Sequence, residues 1–212
     1  MKEKDVLTAR RQIPPPTTEV VIESPHPIVD GGRFAVKGIV GDPIEVSADV
    51  FSHGHGLVRA LARIRRVGAR RWDESPMAPL GNDRFAGLAV PRAEGPFEIE
   101  IAASPDELAT WANDARRRLE AARMDAFDPE IGGDLLEEAA SCLLEAGLHA
   151  GSRTIMDLAS AVRTGLRLEV LDAIGANAQL LSQRAIAGEG AATVRLKGFA
   201  SRERAAFSSW YE

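Results

Sequence analysis

G-P-F-E-I-E-I-A-A-S-P-D-E-L-A-T-W, from Gly95 to Trp111, changes its periodicity halfway, and that change decides the fold. Phe97, Ile99 and Ile101 alternate with Glu98 and Glu100, so an extended backbone sends the apolar set to one face and the acidic set to the other. Ser104-Pro105-Asp106-Glu107 then supplies a candidate N-cap hydroxyl, a proline suited to the first helical position and an acidic first turn. The spacing predicts a helix from Ser104, with Leu108, Trp111, Ala115, Leu119 and Ala122 facing inward.

Upstream of this junction the period is two. Ile44, Val46, Ala48 and Val50 alternate with Glu45, Ser47 and Asp49, and Val58, Ala60, Ala62 and Ile64 form a further set. Leu57 and Leu61 make that last strand apolar on both faces near its start, which predicts a central position or a covering element. Gly31-Gly32, Gly41-Asp42-Pro43, Gly54-His55-Gly56, Gly68 and Gly81-Asn82-Asp83 punctuate the strands with residues suited to turns. Short, regularly punctuated strands predict two facing antiparallel sheets.

Downstream, three more helices are predicted: from Asp134 to a stop near Gly151, from Ser152 to Leu166, and from Leu168 to Ala185. Their apolar stripes need mutual shelter, so a small bundle is expected. Ala192 to Lys197 and Phe207 to Tyr211 return to strand-like text.

With 212 residues, 45% of them hydrophobic, the chain is long enough for one large or two small cores. The formal charge of -5 argues against a general nucleic-acid or membrane-surface binder. One cysteine, Cys142, builds neither a disulfide framework nor a cysteine zinc site, which predicts a reducing, cytoplasmic compartment and no cofactor or metal. The first residues contain charges and Pro14-Pro15-Pro16 in place of a signal-peptide apolar stretch, and read as an extended leader.

Five strings in order carry a family resemblance: P-I-V-D-G-G-R-F-A-V-K (Pro27 to Lys37), V-G-D-P-I-E-V-S-A-D-V-F (Val40 to Phe51), P-L-G-N-D-R-F-A-G (Pro79 to Gly87), A-T-W (Ala109 to Trp111) and S-R-E-R-A-A-F-S-S-W-Y-E (Ser201 to Glu212). In this order they resemble the N-terminal region of the α-1,4-glucan:maltose-1-phosphate maltosyltransferases of the α-amylase superfamily. The resemblance implies an immunoglobulin-like β-sandwich interrupted by a helical insertion, packed on a catalytic barrel and helping to build a homodimer. The catalytic residues of such enzymes lie in the barrel, which would follow Glu212, so none is carried to a position here.

The expected fold is therefore α+β: a leader at 1–17, an immunoglobulin-like antiparallel β-sandwich from 18–103 completed by 190–212, and an inserted helical bundle at 104–189. The candidate carbohydrate contact is Trp72, whose indole suits stacking on a sugar ring of an α-glucan or packing against the protein. Phe207, Trp210 and Tyr211 are the candidate interface with the barrel. His53 and His55 are two imidazoles on one loop, too few for a metal site, and predict a solvated hairpin turn. Arg116-Arg117-Arg118 with Arg123 predicts a solvated helix face or pairs to a partner rather than a nucleic-acid site. The adjacent carboxylates Asp73-Glu74 and Glu137-Glu138 are not opposed as glycoside chemistry requires. Three functions stay open: a non-catalytic scaffold and dimer interface of a maltosyltransferase, a stand-alone α-glucan-binding module, and an unrelated enzyme with a cleft between strands and helices.

Overall fold

A computed structural model describes residues 20–123, 129–184, 186 and 191–202. Seven strands come first: β1 (Val20–His26), β2 (Val36–Ile39), β3 (Ile44–Ser52), β4 (Val58–Arg66), β5 (Asp73–Gly81), β6 (Arg84–Ala89) and β7 (Gly95–Pro105). Five helices follow, α1 (Glu107–Glu120), α2 (Pro129–Glu145), α3 (His149–Thr164), α4 (Leu168–Ala176) and α5 (Ala178–Leu181), and then β8 (Ala192–Ser201). The fold is mixed α and β, with one curled eight-stranded sheet in the order β1-β3-β6-β5-β4-β7-β8-β2.

β5 makes the curl. Its first half pairs with β4, through Ala60↔Met77 to Ile64↔Asp73, and its second half pairs with β6 through Ala78↔Ala86 and Pro79↔Phe85. Pro76 and Pro79 donate no N–H, which suits a strand whose halves each pair on one side. The following turn is short because Asn82 and Asp83 both take positive φ, 47° and 61°, the geometry of a two-residue hairpin loop.

The curl brings β3 close to β4 and β7 without pairing them, and one core fills the space between. Val46, Ala48 and Val50 of β3 meet Ala60, Ala62 and Ile64 of β4 and Phe97, Ile99 and Ile101 of β7 there. These are the alternating sets of the sequence, with Ile44 half-buried at the margin. The loop carrying His53 and His55 is exposed, as expected of a solvated turn, but it joins β3 to β4, strands that are not partners, so it is a crossover rather than a hairpin.

α1 begins later than Ser104. β7 pairs with β4 as far as Val58↔Pro105, which holds Ser104 buried in the strand, and the N-cap passes to Asp106, whose carboxylate accepts from the Ala109 N–H at 3.1 Å. α2 opens at Pro129 and α3 at His149, so Gly151 lies inside α3 instead of ending α2. The predicted fourth helix is divided at Asn177 into α4 and α5. The helices share a second core in which Trp111, Leu136, Leu143, Ile155, Val162 and Leu171 meet. Trp111 is thus a residue of that core.

Candidate functional site

The outward face of β4 carries Arg59, Leu61, Arg63 and Arg65 at alternate positions, and each finds a different partner. Leu61 packs with Ala102 of β7 beneath Ile186, the covering residue that its two-faced strand required. Arg63 donates Nη1 to Glu100 at 3.1 Å and Nη2 to the Ile186 carbonyl at 3.2 Å, and its Nε lies 2.9 Å from Glu74. Glu100 also accepts from Arg195 of β8 at 2.6 Å. The registers Arg63↔Glu74, Arg63↔Glu100 and Glu100↔Arg195 align these charges in a row across β5, β4, β7 and β8. The hydrogen bond to Glu100 holds the Arg195 proton more firmly than usual.

Arg65 bonds Glu98 at 2.8 Å, and its guanidinium carbon lies 4.1 Å from the centroid of the Trp72 ring. That is cation–π distance, and Arg195 approaches the same ring at 6.0 Å. Trp72 is half-buried just before β5. Phe207, Trp210 and Tyr211 lie outside the described residues.

Arg59 stands where the sheet meets the helices. Its Nη1 donates to the Arg184 carbonyl at 2.7 Å, while Arg184 donates Nη2 to Asp106 at 3.1 Å. Thr110 ties the same corner, accepting from the Leu57 N–H at 2.8 Å and donating to the Asp106 carbonyl at 2.8 Å. Burial, reinforced by the neighbouring Arg184 cation, pushes the Arg59 guanidinium down to about 10, so it remains charged at neutral pH.

This corner closes one end of a cavity of about 280 Å³ between α1 and the α4–α5 pair. Its walls are aliphatic, with Leu108 and Ala112 on one side and Leu171, Ile174 and Leu181 on the other. Arg116 stands on its rim and bonds Asp172 at 2.7 Å. A second groove of about 720 Å³ shares Arg59 and Asp106 and runs between the β5–β6 hairpin and the Ser52 to Leu57 loop. Aliphatic walls suit binding of an apolar chain; Asp106, the carboxylate in the lining, is engaged by Arg184.

The remaining candidates are dispersed. Arg117 and Arg118 are exposed on α1, and Cys142 is partly exposed on α2. Glu137 bonds Arg163, which Glu130 and Asp134 also hold at 2.9 and 2.6 Å, and these bonds, that to Glu137 foremost, raise the Arg163 pKa above its ordinary value. Arg59, Arg63, Arg65 and Arg184 were not singled out from sequence. The signal for the first three was their period of two on β4, complementary to Glu98 and Glu100 on β7. Among the described residues no group of three metal-ligating side chains occurs, and no helix is long and apolar enough to cross a membrane.

A family profile described as "Alpha-1,4-glucan:maltose-1-phosphate maltosyltransferase, domain N/S" matches residues 18–205. Curated proteins named alpha-1,4-glucan:maltose-1-phosphate maltosyltransferase are similar over most of the chain. That of Myxococcus xanthus is 34% identical over 201 residues, covering 91% of this chain and 30% of the relative. That of Chlorobaculum tepidum is 33% identical and covers 66% and 22%, and that of Cereibacter sphaeroides is 32% identical and covers 91% and 32%. The chain therefore spans about a third or less of the length of these relatives.

Proposed function

Because this chain belongs to the domain N/S family of the α-1,4-glucan:maltose-1-phosphate maltosyltransferases, we propose that it is a non-catalytic N-terminal region of such an enzyme, a scaffold and dimer interface for a catalytic barrel. The parent reaction would transfer maltosyl units from maltose 1-phosphate to α-1,4-glucans in the cytoplasm, without a cofactor. The match over residues 18–205 carries the proposal. The curled sheet is read as an immunoglobulin-like sandwich, 18–103 completed by 190–212, with the bundle at 104–189 inserted and 1–17 as leader. That reading is supported by five helices standing between β7 and its antiparallel partner β8.

The fate of the carboxylates supports a non-catalytic role. A retaining glycoside mechanism needs two carboxyl groups facing each other across a substrate. Here Glu74, Glu98 and Glu100 are each held by a guanidinium that ties strand to strand, and Asp106, the N-cap of α1, is held by Arg184, which follows α5. Docking on a barrel draws on the apolar rings near β2 and β8. Phe34 precedes β2 at 63% exposure, and Phe199 lies on β8 at 50%. Phe207, Trp210 and Tyr211 follow β8 in sequence and are proposed to extend this contact.

The second reading, a stand-alone α-glucan-binding module, rests on the partial exposure of Trp72. The guanidinium stacked on that ring favours a packing role instead.

Sedimentation and activity test the proposal together. The catalytic region of a relative, prepared without its domain N/S, is mixed with this chain. Co-sedimentation and increased maltosyl transfer are expected, with none from this chain alone. Turnover of maltose 1-phosphate by this chain alone would overturn the proposal, and so would failure to associate combined with glucan binding that Trp72→Ala abolishes.

A further inference from the structure

We propose that the cavity between α1 and the α4–α5 pair binds a small neutral aliphatic alcohol, with its chain among Leu108, Ala112, Leu171 and Ile174 and its hydroxyl at the Asn113 amide. Size, wall chemistry and the partners of the polar groups each point to this class of ligand.

About 280 Å³ corresponds to roughly nine water volumes at about 30 Å³ each, which suits a chain of about eight carbons. The length agrees, because α1 runs from its N-cap Asp106 at the closed corner to Arg116 on the rim, a rise of roughly 15 Å at about 1.5 Å per residue. Leucine, isoleucine and alanine make up the walls, and the described lining has no aromatic ring. A sugar would find no stacking platform there and would set its hydroxyls against methyl groups.

The charged groups of the lining are engaged within the protein. Arg184 bonds Asp106 and the Leu181 carbonyl, Arg116 bonds Asp172, and Arg59 donates to the Arg184 carbonyl. A ligand carboxylate or ammonium would have to displace one of these bonds or enter without a partner, which costs more than burying a neutral head. Asn113 differs from them. It lies on the cavity-lining face of α1 with Ala109, Ala112 and Arg116, is half-buried, and its amide makes no hydrogen bond among the described residues. A primary amide both donates and accepts, as a hydroxyl does, so the two satisfy each other with no change of charge. An apolar site with a few polar groups that fix orientation is the usual form of a small-molecule pocket.

Isothermal titration calorimetry of the 212-residue chain with 1-octanol, and with sodium octanoate as its charged counterpart, is the test. One-to-one saturation by octanol is expected, with octanoate at least tenfold weaker. Ala109→Leu and Ala112→Leu fill the cavity from α1, and each should weaken octanol at least tenfold; circular dichroism selects the folded variant if only one folds. Asn113→Ala removes the amide from a helix position that alanine suits, and should weaken octanol about fivefold with no loss of thermal stability, the mark of a lost contact rather than a loosened fold. Absence of saturation, octanoate binding as tight as octanol binding, or octanol binding unchanged by a folded filling variant or by Asn113→Ala would overturn the proposal.

Discussion

Gly132 of α2 lies against the indole of Trp111 on α1, so closely that a Cβ at position 132 would stand 2.0 Å from the ring carbon Cζ2. The two helices meet there because one residue has no side chain and the other has a large flat one. Gly132→Ala should therefore destabilise the protein by about 1–3 kcal/mol through overpacking, despite the gain of about 1 kcal/mol that alanine brings to a helix interior. Gly175→Ala on α4, where a Cβ meets nothing within 4 Å, is the control and should be neutral or stabilising by up to about 1 kcal/mol. Urea denaturation of the two variants checks both signs.

Glu100 is 3% exposed and sits between Arg63 and Arg195. Glu100→Gln leaves the half-buried Arg63 facing a neutral amide, and a loss of about 3 kcal/mol is expected, at the low end for breaking a buried pair because the Arg195 side chain is largely in water. Glu94→Gln breaks the exposed pair with Arg202 and should change stability by less than about 1 kcal/mol. Chemical denaturation at neutral pH separates the two.

Arg59 predicts a pH dependence on the alkaline side. Its folded-state pKa, about 10, lies below the ordinary guanidinium value, so the unfolded chain holds this proton more tightly. The buried charge therefore costs stability below pH 10, and the cost is relieved as pH rises above about 10, where the unfolded state binds more protons. The stability difference between wild type and Arg59→Met should be flat from pH 6 to 9 and shift in favour of wild type at pH 11. Urea midpoints at these pH values measure it.

Trp72 is expected to act through packing. Trp72→Ala removes the ring under Arg65 and should lower stability by about 1–3 kcal/mol while the fold persists. Affinity electrophoresis in gels with and without glycogen should show no retardation that the variant loses.

Much of the strand architecture was legible because burial of one face imposes a period of two on each strand by itself. Val46, Ala48 and Val50, like Phe97, Ile99 and Ile101, advertised their shared core in the sequence, and the two apolar faces of β4 at Leu61 announced a cover. The helical stripes were legible for the same local reason. Boundaries were less so: pairing of β7 with β4 through Pro105 overrode the capping residues at Ser104, and the turn at Asn177 divided a continuous apolar pattern.

The sequence alone determined that strands come first, that helices follow the Ser104–Glu107 junction, and which residues seek a core, since each of these is a preference of a residue and its near neighbours. The tertiary structure decided that β5 would pair with β4 along one half and β6 along the other. It also decided that Arg59 and Arg184, 125 residues apart, would meet at the end of an aliphatic cavity. Such contacts depend on the curl of the sheet and the return of the chain after α5, and a guanidinium carries no sequence mark of the distant carbonyl that will accept its hydrogen bond.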